Sequence, residues 1–251
     1  MITPCVVMAD GAGLAMMRIV PKRFEHLRFL QLAVFVLVLL LANAIFPHAL
    51  VVRSLLSLMF LNTLFVTLSA VGHGPMVGRV LVGIWIIGTL CMGWGEFHSG
   101  EGGDRLAVFA GQSAYLFLIM TGVVATFRYV ITTRRASVDT IFAAVVAYLL
   151  IGLGFTLLYT MLLGLDPQSF NVSDRPGFDD RAALPSPLVY FSFVTIATLG
   201  YGDITPQLPL PQILAALEAV IGQFYIAIVI AWLVSRYAME PSPDGKKTPD
   251  S

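Results

Sequence analysis

The sequence is poor in charge and in cysteine. Charged residues make up only 12% of its 251 residues, whereas hydrophobic residues make up 57%, which is typical of a membrane protein and excludes an ordinary soluble domain. The two cysteines, Cys5 in the N-terminal tail and Cys91 in an apolar run, lie in different surroundings and predict neither a disulfide framework nor a metal site. The net charge is zero, so the overall charge gives no indication of a nucleic-acid partner.

Catalytic constellations are also missing from the sequence. We find no grouping of nucleophile, metal ligands or phosphate-binding residues outside one glycine-containing stretch near residue 200. We therefore expect neither enzyme activity nor a cofactor. What the sequence has instead is long apolar runs, and these determine the predicted fold.

Six apolar segments are long enough to cross a bilayer, since about 20 residues rising about 1.5 Å each cover the ~30 Å of hydrocarbon. These segments are Leu27–Phe46, Leu50–Val71, Val77–Trp94, Leu106–Phe127, Val138–Leu163 and Ile213–Tyr237. The predicted fold class is therefore an all-α membrane protein with six transmembrane helices in a lipid bilayer.

Lysine and arginine residues fall mainly on one side of these six segments. The residues on that side are Arg18, Lys22, Arg23, Arg28, Arg79, Arg128, Arg134, Arg135, Arg236, Lys246 and Lys247. Because basic residues next to a membrane span stay in the cytoplasm, both termini are predicted to be cytoplasmic. A second interpretation stays open, in which the first segment is a signal peptide cleaved near Ala42-Asn43-Ala44, because five remaining helices also leave the C-terminus inside.

The segment between the fifth and sixth helices has a different character. It is polar from Asp166 to Arg181 and apolar again from Leu188, and it is too short for two further crossings. Ser186 followed by Pro187 predicts an N-cap with proline at the first helical position, opening a short helix that ends near residue 196. Non-helical backbone at membrane depth is tolerated only where protein or water satisfies its polar groups. The sequence therefore predicts a re-entrant loop that lines a pore or a cavity.

Glycine alternates with larger residues directly after this short helix, in Thr198-Leu199-Gly200-Tyr201-Gly202. A potassium ion that loses its water needs replacement oxygens, and consecutive carbonyls face one axis only if the backbone visits dihedrals that glycine adopts at low cost. Leu199 and Tyr201 are predicted to point away from the axis, Tyr201 towards Tyr190 and Phe191. Asp203 is predicted to concentrate cations at the outer mouth. In isolation, glycine-tyrosine-glycine also fits an ordinary turn.

The stretch Thr195-Ile196-Ala197-Thr198-Leu199-Gly200-Tyr201-Gly202-Asp203 resembles the selectivity filter of the potassium channel family. The order of outer helix, pore helix, filter and inner helix over residues 138–237 is similar as well. This resemblance implies a potassium-selective channel in which the backbone carbonyls of Thr198, Leu199, Gly200 and Tyr201 bind K⁺. It also implies that three identical subunits complete a homotetramer, located in a bacterial plasma membrane. Ala197 and Val194 depart from the family, which often has threonine at the first position and in some members glutamate at the second.

The last helix carries Glu218, Gly222 and Gln223 in an apolar surrounding. Glu218 is predicted to hydrogen-bond towards the pore helix and, with Tyr190, Phe191 and Thr195, to support it; a cavity or gating role for Glu218 is the alternative. Gly222 is either a hinge or a close-packing glycine. Spacings of three and four place one set of residues on a single face, predicted to line the inner cavity and gate, with ordinary helix packing as the alternative. The set is Gln223, Ile226, Ile230 and Val234.

The predicted domains are a cytoplasmic tail (1–26), a four-helix transmembrane domain (27–130), the pore domain (138–237) and a disordered cytoplasmic tail (238–251). The fourth apolar segment, Leu106–Phe127, contains no charged residue. Each charge that moves through the membrane field contributes about 2.3 kcal/mol per 100 mV, so we expect weak or absent voltage sensing. Two other functions stay open: a weakly selective channel for monovalent cations, and a non-conducting membrane sensor or scaffold.

Overall fold

The computed structural model describes residues 28–45, 75–97, 104–133, 137–172 and 185–238. These residues form six α-helices, one short 3₁₀ turn and two short strands. The helices are α1 (Arg28–Ile45), α2 (Pro75–Phe97), α3 (Asp104–Thr132), α4 (Val138–Leu165), α5 (Pro185–Ile196) and α6 (Pro209–Ala238). The strands are β1 (Phe170–Val172) and β2 (Ile204–Pro206), and the 3₁₀ turn, Pro167–Ser169, lies just before β1.

Four of these helices, α2, α3, α4 and α6, are long and apolar enough to cross a membrane. They coincide with four of the six predicted segments, and each extends one to several residues beyond the predicted bounds. The apolar stretch of α1, Phe29–Val38, is shorter than a membrane span. The predicted helix Leu50–Val71 and the two predicted tails, apart from Ala238, lie outside the described residues, so the count of six crossings stays a prediction.

Local signals account for the ends of the helices around the pore region. Ser137 is the N-cap of α4, where its hydroxyl accepts a hydrogen bond from the amide of Thr140 at 3.2 Å. Asp166 ends α4, and its side chain accepts from the amide of Gln168 at 2.8 Å. α5 begins at Pro185, so the prediction of Ser186 as N-cap is wrong. Pro185 suits the first helical turn as well as Pro187 does, because neither proline has an amide hydrogen that would need an acceptor there.

α4 is the central helix of the described structure, since it packs against α1, α3, α5 and α6. One hydrophobic core joins all five helices through fully or nearly fully buried side chains. Members of this core are Leu32 on α1, Ile119 on α3, Leu150 on α4 and Val229 on α6, with Phe193 of α5 packed against them. Helices α1 and α3 therefore share one core with the predicted pore region.

A two-stranded antiparallel sheet ties the end of α4 to the segment that follows residue 202. Phe170 pairs with Pro206 and Val172 pairs with Ile204. The amide of Gln207 extends this pairing by donating to the carbonyl of Ser169 at 2.9 Å. Because β2 starts two residues after Gly202, the sheet fixes the outer end of the filter segment, defined here as residues 198–202, against the outer end of α4.

Candidate functional site

The filter segment begins where α5 ends. The amide of Thr198 donates to the carbonyl of Thr195 at 2.8 Å, and the amide of Leu199 donates to the carbonyl of Val194 at 2.9 Å. These bonds occupy carbonyls at the C-terminal end of the helix, which an α-helix leaves without partners. The amides of the first filter residues thereby have hydrogen-bond acceptors within the chain.

The carbonyls of the filter segment are in the opposite situation. Within the described part of the chain, no hydrogen bond ends on the carbonyl oxygen of Thr198, Leu199, Gly200 or Tyr201. Backbone carbonyls at membrane depth need a partner, either protein, water or an ion. Four consecutive acceptors are therefore available to a cation.

The backbone of the filter segment alternates between left-handed and other conformations. Thr198, Gly200 and Gly202 have φ of +59°, +54° and +77°, in the left-handed region, whereas Leu199 and Tyr201 between them lie outside it. An ordinary strand points successive carbonyls to opposite sides, but alternating hand turns successive peptide groups to the same side. Both glycines thus lie at positions with positive φ, which glycine adopts at low cost because it has no Cβ. No feature of the sequence predicts the positive φ of Thr198, and such a conformation costs a residue with a Cβ about 1–3 kcal/mol.

The outer end of the filter segment contacts α5 through aromatic rings. The ring of Tyr201 stacks on that of Tyr190, with centroids 6.4 Å apart and an angle of 17° between planes. The hydroxyl of Tyr190 donates to Asp203 Oδ2 at 3.0 Å. Phe191 lies elsewhere: it is buried and packs edge-on against Tyr159 of α4, at 5.2 Å between centroids. Among the described residues, Tyr190 is therefore the aromatic partner of Tyr201.

The carboxyl group of Glu218 on α6 is fully buried. Ser192 of α5 lies 2.5 Å from its Oε1, and the hydroxyl of Tyr159 on α4 donates to its Oε2 at 2.6 Å. Glu218 thus connects α6 to both α4 and α5, and the link to α5 is the one that the sequence predicted. Thr195, also expected to support this helix, is half-buried and contributes its carbonyl to the bond with Thr198.

Gly222 lies where α6 passes closest to the end of α5. A Cβ at this position would collide with the carbonyl oxygen of Ile196 and lie 2.7 Å from Ile196 Cγ1. The same carbonyl accepts a hydrogen bond from Tyr148 of α4 at 3.1 Å. α6 is continuous through Gly222. In this structure Gly222 therefore acts as a close-packing glycine.

Below the filter segment, α6 borders an open concavity of about 400 Å³. Its lining is formed by Thr198, Ala219, Val220, Gln223, Phe224 and Ala227. The Gln223 amide lies 3.5 Å from the hydroxyl of Thr198 and donates to it. Of the four predicted cavity residues, only Gln223 reaches this concavity. Ile226, Ile230 and Val234 follow along α6 and are 41%, 55% and 62% exposed in the single chain.

Comparison with known proteins points to the same region. A sequence model of the ion channel family matches residues 185–238, which contain α5, the filter segment and α6. Protein LctB of Bacillus caldotenax is 32% identical over 98 residues, which cover 39% of this chain and 72% of that protein. Two-pore potassium channel 5 of Arabidopsis thaliana is 31% identical over 81 residues, covering 32% of this chain and 19% of the plant protein. No solved structure shows a significant match.

Proposed function

Since this chain belongs to the potassium channel family, we propose that it is one subunit of a homotetrameric, potassium-selective channel that conducts K⁺ passively. The filter segment is its selectivity filter, where the carbonyls of Thr198, Leu199, Gly200 and Tyr201 replace the water of the ion. Asp203 adds negative charge at the outer mouth. The single observation that carries this proposal is the alternation of left-handed and other conformations along the filter backbone, whose carbonyls accept no hydrogen bond from the described residues.

Surfaces that one chain leaves uncovered support the proposed fourfold assembly. Leu199 and Tyr201 are 58% and 66% exposed in the single chain, although filter side chains need packing that holds the carbonyl rings at fixed width. The most apolar stretch of α6 is only 17% buried within the chain, against 56% for α4. Lipid covers one side of α6, and three further copies around a closed axis cover the side next to Thr198 and Gln223.

The proposed gate lies on the inner part of α6. In the tetramer, Ile226, Ile230 and Val234 face the axis below Gln223. Rings of apolar side chains close a pore to ions by excluding water. The leading helices form a domain without voltage sensing, and the channel lies in a bacterial plasma membrane with both termini in the cytoplasm.

Ion flux into liposomes tests the proposal. We expect the reconstituted protein to admit K⁺ and to exclude Na⁺. Gly200→Ala should abolish selective flux, because alanine in the left-handed region costs about 1–2 kcal/mol in each of four subunits. Gly83→Ala on α2 is the matched control: a Cβ has open space at both positions, but only Gly200 has a positive φ.

Each alternative function has its own outcome in this experiment. Equal flux of K⁺ and Na⁺ would identify a weakly selective cation channel. Absence of flux from a folded, tetrameric sample would favour the membrane sensor or scaffold. Equal selective flux through Gly200→Ala and Gly83→Ala would show that the backbone of the filter segment does not determine selectivity.

A further inference from the structure

Three helices meet at the carboxyl group of Glu218, which has no exposed surface. The hydroxyl of Tyr159 donates to Oε2, and the hydroxyl of Ser192 lies 2.5 Å from Oε1. The oxygen of Ser192 also lies 2.7 Å from the carbonyl oxygen of Gly152 on α4. Among the described residues, the two hydroxyl groups are the only hydrogen-bond partners of this carboxyl.

The number of protons at this site decides the charge of the carboxyl group. A serine hydroxyl has one proton, and a backbone carbonyl only accepts. If Ser192 donates its proton to Gly152, the proton between Ser192 and Glu218 must come from Glu218. If Glu218 is ionised, Ser192 has two acceptors within 2.7 Å and one proton to share, so one pair of oxygens faces each other without a hydrogen.

Ionised carboxylates also accept hydrogen bonds of this length, so the surroundings of Glu218 decide its charge. The surroundings do favour the neutral form. Among the described residues, the ionisable side chains facing Glu218 are the phenols of Tyr159 and Tyr148, both on α4, and neither brings a positive charge. A buried carboxylate without a cation carries a large desolvation penalty.

We propose that Glu218 is a neutral carboxylic acid that positions the pore helix α5 through Ser192. In this arrangement Tyr159 donates to Glu218 Oε2, Glu218 donates from Oε1 to Ser192, and Ser192 donates to the carbonyl of Gly152. Every polar group of the cluster is then satisfied. The chain of bonds holds α4, α5 and α6 together.

The neutral form has a consequence for conduction, which rests on the proposed function. Four ionised copies of Glu218 would add four fixed negative charges around the ion pathway, and such charges change the local concentration of cations. A neutral acid gives the same mechanical support without altering that potential. Glu218 is on this account a positioning residue and makes no contact with the ion.

Infrared difference spectroscopy of the full chain, native against Glu218→Gln at neutral pH, tests the charge directly. We expect the native protein to show a C=O stretching band of a protonated carboxylic acid that the variant lacks. If the variant instead lacks carboxylate bands that the native protein shows, Glu218 is ionised and the proposal is overturned. Should the variant fail to fold, native protein with ¹³C-labelled glutamate gives the same answer: a label-shifted acid band supports the proposal, and its absence contradicts it.

Ion flux provides a second readout. Glutamine provides an acceptor oxygen and an NH₂ donor group in nearly the same shape. We therefore expect flux of Glu218→Gln to stay within about twofold of native, because no charge near the pathway changes. Glu218→Leu and Ser192→Ala, which break the bond to α5, should reduce selective flux by about tenfold or more, as expected for a misplaced filter support. Equal losses in Glu218→Gln and Glu218→Leu would contradict a neutral acid. The infrared result stands even if the native protein conducts nothing, so failure of this inference and failure of the proposed channel are distinguishable.

Discussion

The hydroxyl of Tyr190 donates a 3.0 Å hydrogen bond to Asp203, and this bond joins the short helix α5 to the residue that follows the filter segment. The ring of the same tyrosine stacks on Tyr201. One side chain thus holds both the outermost filter residue and the acidic residue at the mouth.

Tyr190→Phe separates these two contacts, because it removes the hydroxyl and keeps the ring. We expect a decrease of about 1 kcal/mol in the free energy of unfolding for the lost hydrogen bond. Tyr190→Ala also loses the ring stack, for a further ~0.5–1.5 kcal/mol. Thermal unfolding of the purified protein in detergent measures both variants. Identical losses would show that the hydroxyl alone carries the contribution of Tyr190.

Gly222→Ala tests close packing between α5 and α6. The added methyl group meets the carbonyl of Ile196, and overpacking of this kind costs about 1–3 kcal/mol. We expect lower thermal stability and reduced flux, with Gly83→Ala as the control because its Cβ meets nothing within 4 Å. If the variant has the same unfolding temperature as the native protein but a different open probability, the hinge interpretation is favoured instead.

Asp139 links the leading helix α1 to the start of α4. Its Oδ1 accepts from the amide of Phe29 at 3.0 Å, and its Oδ2 accepts from the hydroxyl of Tyr129 at 3.4 Å. Asp139→Ala leaves a buried amide at the first turn of α1 without this acceptor, at a cost of about 1–3 kcal/mol. We expect faster hydrogen exchange at the N-terminal turn of α1, and a smaller effect in Asp139→Asn, whose amide oxygen still accepts. Unchanged exchange in Asp139→Ala would contradict this link.

Voltage dependence tests the role proposed for the leading domain. The charged residues of α3 are at its two ends, with no basic residue between Arg105 and Arg128. Without charges that move through the field, the open probability should change little with voltage, since each such charge contributes about 2.3 kcal/mol per 100 mV. Single-channel recordings between negative and positive potentials measure it. A steep change in open probability would place moving charges in the leading domain.

Hydropathy alone predicts the four described helices that are long and apolar enough to cross a membrane, because about 20 consecutive apolar residues leave few alternatives. The alternating glycines likewise predicted the positions of positive φ at Gly200 and Gly202. Thr198 carried no such signal, since a residue with a Cβ adopts this conformation only when the surrounding structure imposes it.

Contacts between distant parts of the chain were beyond sequence reasoning. An apolar surrounding indicated that Glu218 needs a partner, but nothing identified Tyr159, which lies 59 positions earlier. The pairing of β1 with β2 was also missed, because strands of three residues are too short for a periodic pattern. Ser186 and Pro187 formed a plausible helix start, yet Pro185 formed an equally good one, and the structure uses it.

The most direct test of the whole account is the reversal potential of the reconstituted native protein with K⁺ on one side of the membrane and Na⁺ on the other. Carbonyl oxygens held at fixed width by four copies of residues 198–202 should favour the larger ion strongly. We predict a large reversal potential with the K⁺ compartment negative, because this potential must oppose the K⁺ ions that leave that compartment. A reversal potential near zero, with measurable current, would contradict the central claim.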